Sequence, residues 1–397
     1  MHKQARETFN NSFTEKGYEA FVSSLQSAFP GQLDFRVAET PIFVPKELTE
    51  KIIRASDEII ETLLSPDFLE NTNRAVPSNQ NVPGENGHTS FLAIDYAVCR
   101  NADGELEPQL IELQGFPSIF GYQAFLSESF RKFFDVKENF TYLFNAESED
   151  AYVSKLRTLI LGDEQPENVI LLEIFPEKQK TRIDFAVTER MLGIKAVCYT
   201  KLIREGRSLF YENEGRKVRV KRIYNRLIFD DLFSYPGLQT SYHFTDDVDV
   251  HWVGHPNWFF RISKFAMPFL NSEFVPETHF LSHYEGEFPA DLENYVLKPL
   301  FSFAGAGVQL HLDKQALEAI LDPENYILQR KVAYEPVIQA PDGLVKCEIR
   351  MMYGWPDHAS RPELLISLSR LSRGEMIGVR YNKDFTWVGG SASFFEH

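Results

Sequence analysis

Apolar residues recur every three to four positions through much of the first 70 residues. Phe21, Leu25 and Phe29 fall on one helical stripe, and Ile52, Ile53, Ile59, Ile60, Leu63 and Leu64 on a second. Thr49 predicts an N-cap for the second helix and Pro66 its end. The polar stretch 72–90, rich in Pro, Gly and Asn, predicts a loop. The pattern then changes. Residues 91–100 and 108–114 read as strands with Asn101-Ala102-Asp103-Gly104 as the turn between them, so a β-hairpin is expected. Helices are expected over 122–134 and 150–161.

Residues 168–175 form a continuous apolar run of the kind buried in a sheet. An amphipathic helix over 182–192 follows, closed by Gly193, and then a β-branched strand over 195–199. That is a β-α-β unit, which calls for a parallel sheet. Residues 208–224 read as a hairpin turning at 212–215, with its Arg and Lys residues on a solvated face. From 259 the pattern gives a helix, a strand over 295–298, a glycine turn over 302–307, a return strand over 308–312 and a helix over 314–321. Strands over 326–332, 345–353 and 363–370 complete it. The fold class is α+β.

A chain of 397 residues holds two or three domains at roughly 100–200 residues each. A hydrophobic fraction of 43% supplies a large core and excludes a mostly disordered chain. The net charge of -16 repels phosphate backbones, so no general nucleic-acid partner is expected. A local basic cleft for a small phosphorylated ligand is compatible with it. Cys99, Cys198 and Cys347 are odd in number and widely spaced, which excludes a disulfide framework and fits a reducing cytoplasm. The N-terminal stretch has no apolar signal core, and no apolar run is long enough to span a bilayer, so a cytoplasmic location without a membrane partner is expected. His243, His251, His255 and His279 are scattered with no H-E-x-x-H, which argues against a zinc hydrolase. No G-x-S-x-G elbow is present.

The most informative segment is 295–310, YVLKPLFSFAGAGVQL. A strand delivers Lys298, Pro299 ends it, and a small-residue loop with Gly305 and Gly307 follows. Glycines let backbone N–H groups approach phosphate oxygens, and the lysine adds a point charge for the same oxygens. There is no G-x-x-x-x-G-K-[ST], and Leu310 stands where a dinucleotide fingerprint has its third glycine. An ordinary hairpin with a flexible loop has the same pattern. A second segment, the expected hairpin, places Asp95 on one strand and Glu112 with Gln114 on the other. Alternation puts Glu112 and Gln114 on one face. Acids among Leu92, Ile94, Leu110, Ile111 and Leu113 need partners, because buried carboxylates are rare without them.

Taken in order, Lys264 in RISKFAMPFL, FVPETHF, the Lys298 strand with its loop, YILQRKV and KCEIRMMYG resemble the ATP-grasp superfamily. The resemblance implies two β-rich lobes clamping ATP, a Rossmann-like layer before them and an N-terminal helical segment. It assigns Lys264 and Lys298 to the nucleotide, and Ser302, Gly305 and Gly307 to the loop over the phosphates. Gln329 is assigned to the adenine amino group, with the backbone of Arg330, Lys331 and Val332 beside it, and Arg350 to the phosphoryl group or the acceptor. Catalysis would rest on Arg350 and Lys298. The family's C-terminal Glu-x-Asn is missing from GVRYNKDFTWVGGSASFFEH, where the only acids close by are Glu375, Asp384 and Glu396. The hairpin supplies it instead, as in the circularly permuted ATP-grasp ligases of the glutathionylspermidine synthase type. There Asp95, Glu112 and Gln114 would ligate Mg2+. Two positions depart from that pattern: Gln114 replaces an asparagine, and Ala93 replaces an arginine. Asn225-Arg226 resembles the strand end of the preceding domain, with Arg226 toward an acceptor carboxylate.

The function implied is an ATP- and Mg2+-dependent ligase joining a small-molecule carboxylate to an amine or thiol through an acylphosphate. The alternative is a nucleotide-binding protein of the same fold without catalysis. The expected divisions are a helical segment over 1–85, the metal-binding hairpin part over 86–145, a Rossmann-like domain over 146–258, a nucleotide lobe over 259–325 and a second lobe over 326–397. The hairpin is expected in one lobe with 326–370. Asp95, Glu112 and Gln114 are expected to face Lys298 across a cleft lined by Gln329 and Arg350.

Overall fold

The computed structural model describes residues 1–302, 306–374, 377, 382 and 384–397. Gly305 and Glu375 lie outside the described residues. The fold is mixed α+β, and the described residues form five sheets. The largest is antiparallel. It runs in the order Gly389–Ser391, Glu363–Ser372, Gly343–Gly354, Phe91–Arg100, Leu106–Gln114, with Ile338–Ala340 pairing off Gly343–Gly354. The hairpin therefore shares a sheet with strands more than 200 residues later in the sequence, which puts both hairpin acids beside Arg350.

A second sheet is parallel, in the order His251–Val253, Arg222–Asn225, Val169–Glu173, Lys195–Cys198. Val169–Glu173 is buried throughout, as a strand covered on both faces must be. Helix Arg182–Leu192 joins it to Lys195–Cys198 and ends on Gly193 in the left-handed conformation. The hairpin at 208–224 is the outer two-thirds of an antiparallel meander, Ile203–Glu205, Ser208–Asn213, Arg216–Val220; residues 222–225 leave it for the parallel sheet.

The third sheet carries the Lys298 strand. Tyr326–Arg330 lies at its centre, between Thr278–Phe280 and Tyr295–Pro299. Strand Tyr326–Arg330 pairs with the Lys298 strand, its buried Ile327 opposite Lys298 and its buried Leu328 opposite Leu297. The return strand expected over 308–312 is reduced to a single bridge from Gln309 to Leu297.

The first 85 residues are not helical alone. Ile42–Val44 forms a strand parallel to Ser393–Glu396, so the two ends of the chain share a sheet with Phe140–Thr141. Helix Lys46–Leu63 begins three residues before Thr49, on Pro45, whose fixed φ suits a helix start; Thr49 lies inside and donates to the Pro45 carbonyl at 3.0 Å. The helix buries Leu48, Ile52, Ile59, Ile60 and Leu63, each worth roughly 1.5–3 kcal/mol when fully covered. The loop over 72–90 is pinned from one side. Asn257 donates to the Val82 carbonyl and Glu85, and Arg261 pairs with Glu85. His255 is buried against the Pro83 carbonyl, and burial lowers its pKa to about 4, so it serves as a neutral tie. Among the described residues no helix is long and apolar enough to cross a membrane.

The hairpin is docked onto the segment that leads to Lys264. Leu110 N–H donates to the Phe274 carbonyl at 2.8 Å, and Gly115 N–H to the Ile262 carbonyl at 2.7 Å. A Cβ on Gly115 would stand 2.6 Å from the Trp258 carbonyl oxygen and 2.7 Å from Ile262 Cβ. Gly115→Ala is therefore expected to lower stability by about 1–3 kcal/mol, the range for overpacking. Gly87→Ala, where a Cβ meets nothing within 4 Å, should stay within about 0.5 kcal/mol of wild type. Urea denaturation of both variants checks the pair.

Candidate functional site

Strand register assembles the site. Asp95 pairs with Arg350 on one side and Glu112 on the other. Glu348, two residues before Arg350, pairs with Arg370 on the next strand. Alternation places all five on one face. The hairpin carries a bulge here: Asp95 opposes Glu112 and Tyr96 opposes Leu110, so Ile111 is the extra residue. Its carbonyl is thereby released from the ladder and accepts from Lys298 Nζ at 3.1 Å. That bond brings the Lys298 strand against the face that bears the acids.

Asp95 is fully buried and its charge is closed off. Arg350 Nε donates to Oδ1 at 2.6 Å and Arg350 Nη2 to Oδ2 at 2.6 Å, a bidentate pair. Arg370 Nη2 donates to Oδ2 at 2.7 Å and also to Glu348. Glu348 takes its other bond from the Tyr334 hydroxyl at 2.8 Å. Burial pushes the Glu348 carboxyl up; Arg370 opposes that, while Asp95 and Glu112 add to it.

Glu112 is the more open acid. Its Oε1 accepts from Gln114 Nε2 at 2.7 Å, and Lys264 Nζ and Arg350 Nη2 each stand 3.9 Å from its oxygens. Burial would raise its pKa, but Lys264, Arg350, Arg370 and Lys298 together outweigh burial and hold it below the ordinary carboxylate value. Lys264 is buried on a 3-10 turn, not an α-helix, and donates to the Ser302 carbonyl. Burial lowers its pKa against the pull of Glu112. Lys298 is lowered to about 8, first by burial, with Glu112 opposing and Lys264 adding to the drop.

Gln329 is buried on the central strand of the Lys298 sheet, and its Nε2 has no hydrogen-bond partner among the described residues. A buried amide donor left open is costly, so it marks a place for a ligand acceptor. In the neighbouring backbone Arg330 N–H donates to the Glu277 carbonyl and Lys331 N–H to the Asn294 carbonyl, while Lys331 Nζ is held by the Glu293 carbonyl. Val332 is half-buried just beyond the strand end. Gly307 takes φ +72, and a Cβ there would stand 2.7 Å from Pro299 Cγ, so the turn after Lys298 requires a glycine. Arg226 lies apart, at the end of the parallel sheet, and donates to the Pro117 carbonyl.

Arg370 and Glu348 were missed in the sequence. Glu348 could have been found, since period 2 sets it beside Arg350. Arg370 sits in a Ser-Arg-Leu-Ser strand with no motif around it, and only the sheet order brings it to Asp95.

A magnesium ion requires hard oxygen donors. Glu112 and Gln114 are side by side, but both Asp95 oxygens are engaged by guanidinium groups. Among the described residues no group of three or more His, Cys, Asp and Glu is arranged to hold a metal ion. As folded, Asp95, Glu112 and Gln114 do not fit a three-ligand magnesium cage. Four cations, Lys264, Lys298, Arg350 and Arg370, gather with three carboxylates, Asp95, Glu112 and Glu348. One positive charge is in excess, which suits an anionic ligand.

No family model and no curated protein matches the chain. Among solved structures it is similar to the apo form of a glutathione synthetase-like effector from Globodera pallida, with a TM-score of 0.59, 11% identity and 96% of each chain covered. At that identity the likeness is one of fold. It shows a mixed α+β fold similar to that of a glutathione synthetase-like protein.

Two outcomes follow from the site's charges. Asp95→Asn leaves two buried guanidinium groups without their shared carboxylate and is expected to cost about 3–5 kcal/mol by urea denaturation, the range for one broken half of a buried pair. Lys298 is charged below about pH 8 and neutral above it. Affinity for inorganic tripolyphosphate should therefore fall by roughly tenfold between pH 7 and pH 9 in wild type and stay nearly level in Lys298→Arg, whose guanidinium remains charged. Calorimetric titration across that range reads both.

Proposed function

We propose that the cleft between the six-stranded sheet and the Lys298 sheet binds ATP, and that the protein is an ATP-dependent carboxylate–amine or carboxylate–thiol ligase on a circularly permuted ATP-grasp frame. The observation that carries this reading is the convergence of Lys264, Lys298, Arg350 and Arg370 beside the unpartnered amide of Gln329. The glutathione synthetase-like description of the similar structure supports the ligase class.

In this reading Lys264 and Lys298 hold the phosphates. Gln329 Nε2 donates to a ring nitrogen of the base, and the carbonyl end of its amide accepts from the amino group. A substrate carboxylate oxygen attacks the γ-phosphorus, the bond to the β-phosphate oxygen breaks, and ADP leaves. The amine or thiol then attacks the acyl carbon, phosphate departs and a proton is released. No covalent bond to the protein forms at either step. The protein's share is orientation and neutralisation of charge as it develops on the phosphoryl oxygens, which fixed cations in a dry cleft do well. Arg370 and Arg350 supply that charge from the sheet, Lys298 from across the cleft.

A second reading, nucleotide binding without ligation, is favoured by one feature. Asp95, Glu348, Arg350 and Arg370 form a closed network with its charges already paired, more like a structural brace than an open acceptor site.

Incubation with ATP, pooled amino acids and polyamines separates the readings. Acceptor-stimulated release of ADP and phosphate is expected, lowered about a hundredfold in Lys298→Ala, as for loss of one electrostatic stabiliser. ATP binding by calorimetry without stimulated turnover would establish the second reading. No ATP binding in wild type would remove both.

A further inference from the structure

Asp95 and Arg350 are opposite partners on adjacent antiparallel strands, so their Cβ atoms are held about 4.5–5.5 Å apart by the backbone itself. Pairing is therefore built into the register. Within it the guanidinium takes both carboxylate oxygens at 2.6 Å, while its Nη2 also reaches to 3.9 Å from Glu112. One planar cation thus bridges the two acids of the hairpin. A divalent ion approaching Asp95 would have to displace a bidentate hydrogen-bonded partner and settle against a second guanidinium, that of Arg370.

We propose that Arg350 is a resident replacement for a protein-bound divalent cation: it links Asp95 to Glu112 and offers its remaining positive charge to the phosphates, so that nucleotide is taken as the metal-free anion. The proposal rests on the phosphate-binding reading of this cleft. The cluster's single positive charge in excess supplies from side chains part of the charge that a divalent metal would otherwise bring. The closed state of Asp95 and the absence, among the described residues, of any three-ligand acidic or histidine group arranged for a metal agree with it.

The first probe is Mn2+ alone, followed by loss of its electron paramagnetic resonance signal. Wild type is expected to leave the signal unchanged. Arg350→Met frees Asp95 Oδ1 beside Glu112 and Gln114 and should bind one Mn2+ at least about tenfold more tightly, with the gain lost again in the Asp95→Asn, Arg350→Met double variant. Arg350→Lys keeps a charge at the position and should stay silent, which also covers the case in which Arg350→Met does not fold. The second probe is ATP by calorimetry, in excess EDTA and in excess Mg2+; wild-type affinities are expected to agree within about threefold. Wild type that binds Mn2+ as tightly as Arg350→Met overturns the proposal, as does ATP affinity that rises about tenfold or more with Mg2+. Failure of ATP to bind under either condition would refute the nucleotide reading, and the Mn2+ comparison would still decide the role of Arg350.

Discussion

A carboxylate at the centre of a sheet, sealed from water, must be neutralised by its neighbours, and Asp95 sets that requirement for the whole site. Two arginines from two different strands answer it. Arg350 does so across one ladder; Arg370 reaches from the strand beyond and brings Glu348 with it. Once these charges are locked, Glu112 is left as the acid facing the cleft, and the two lysines of the opposing segment are drawn to it. The cost of burying one charge thus organises six others. Removing a member does not merely delete a contact. It exposes the remaining members to the desolvation they had escaped.

The same geometry couples the site to completion of the fold. Its cations come from positions 264, 298, 350 and 370, and its acids from 95, 112 and 348. None of the cations neighbours another closely in sequence, and the hairpin reaches its partner strand only after some 250 residues of intervening chain are in place. The Ile111 bulge is a small local irregularity with a large consequence. Without the extra residue, the ladder would hold that carbonyl in register, and Lys298 would lose its anchor on the hairpin. The docking bonds at Leu110 and Gly115 then fix how closely the two sides approach.

The hairpin, the β-α-β unit and the strand that bears Lys298 were legible because each is local. A two-residue period and a turn signal specify the first, and a glycine stop specifies the second. Asp95, Glu112, Gln114, Lys298, Lys264, Gln329 and Arg350 could be read as candidates from residue type and order. What could not be read was pairing between distant strands. Arg370 is an arginine among serines and leucines until the sheet order places it against Glu348. The partners of strand 326–330 are hidden for the same reason: its neighbours in sequence, 343–354, are not its neighbours in the sheet. Ile42–Val44 was hidden between two helical stripes, since three residues carry too little pattern to register, and its partner is the far end of the chain. Thr49 was taken for a cap on residue type, whereas Pro45 had already fixed the backbone four residues earlier.

A cluster with one positive charge in excess, inside a chain with a net charge of -16, looks contradictory until distances are considered. At physiological ionic strength the field of a surface charge is screened within about 8 Å, so the acidic exterior is only weakly felt by a ligand already inside the cleft. The buried cluster is screened much less, because protein rather than water lies between its charges. Its balance is what the ligand meets. Lys298 and Lys264 are the variable members of that balance, since burial lowers both, Lys298 to about 8. The positive excess of the cluster therefore depends on these two lysines. Negative charge beside these lysines favours their protonated form, so a phosphate bound in the proposed role would strengthen the charge that holds it.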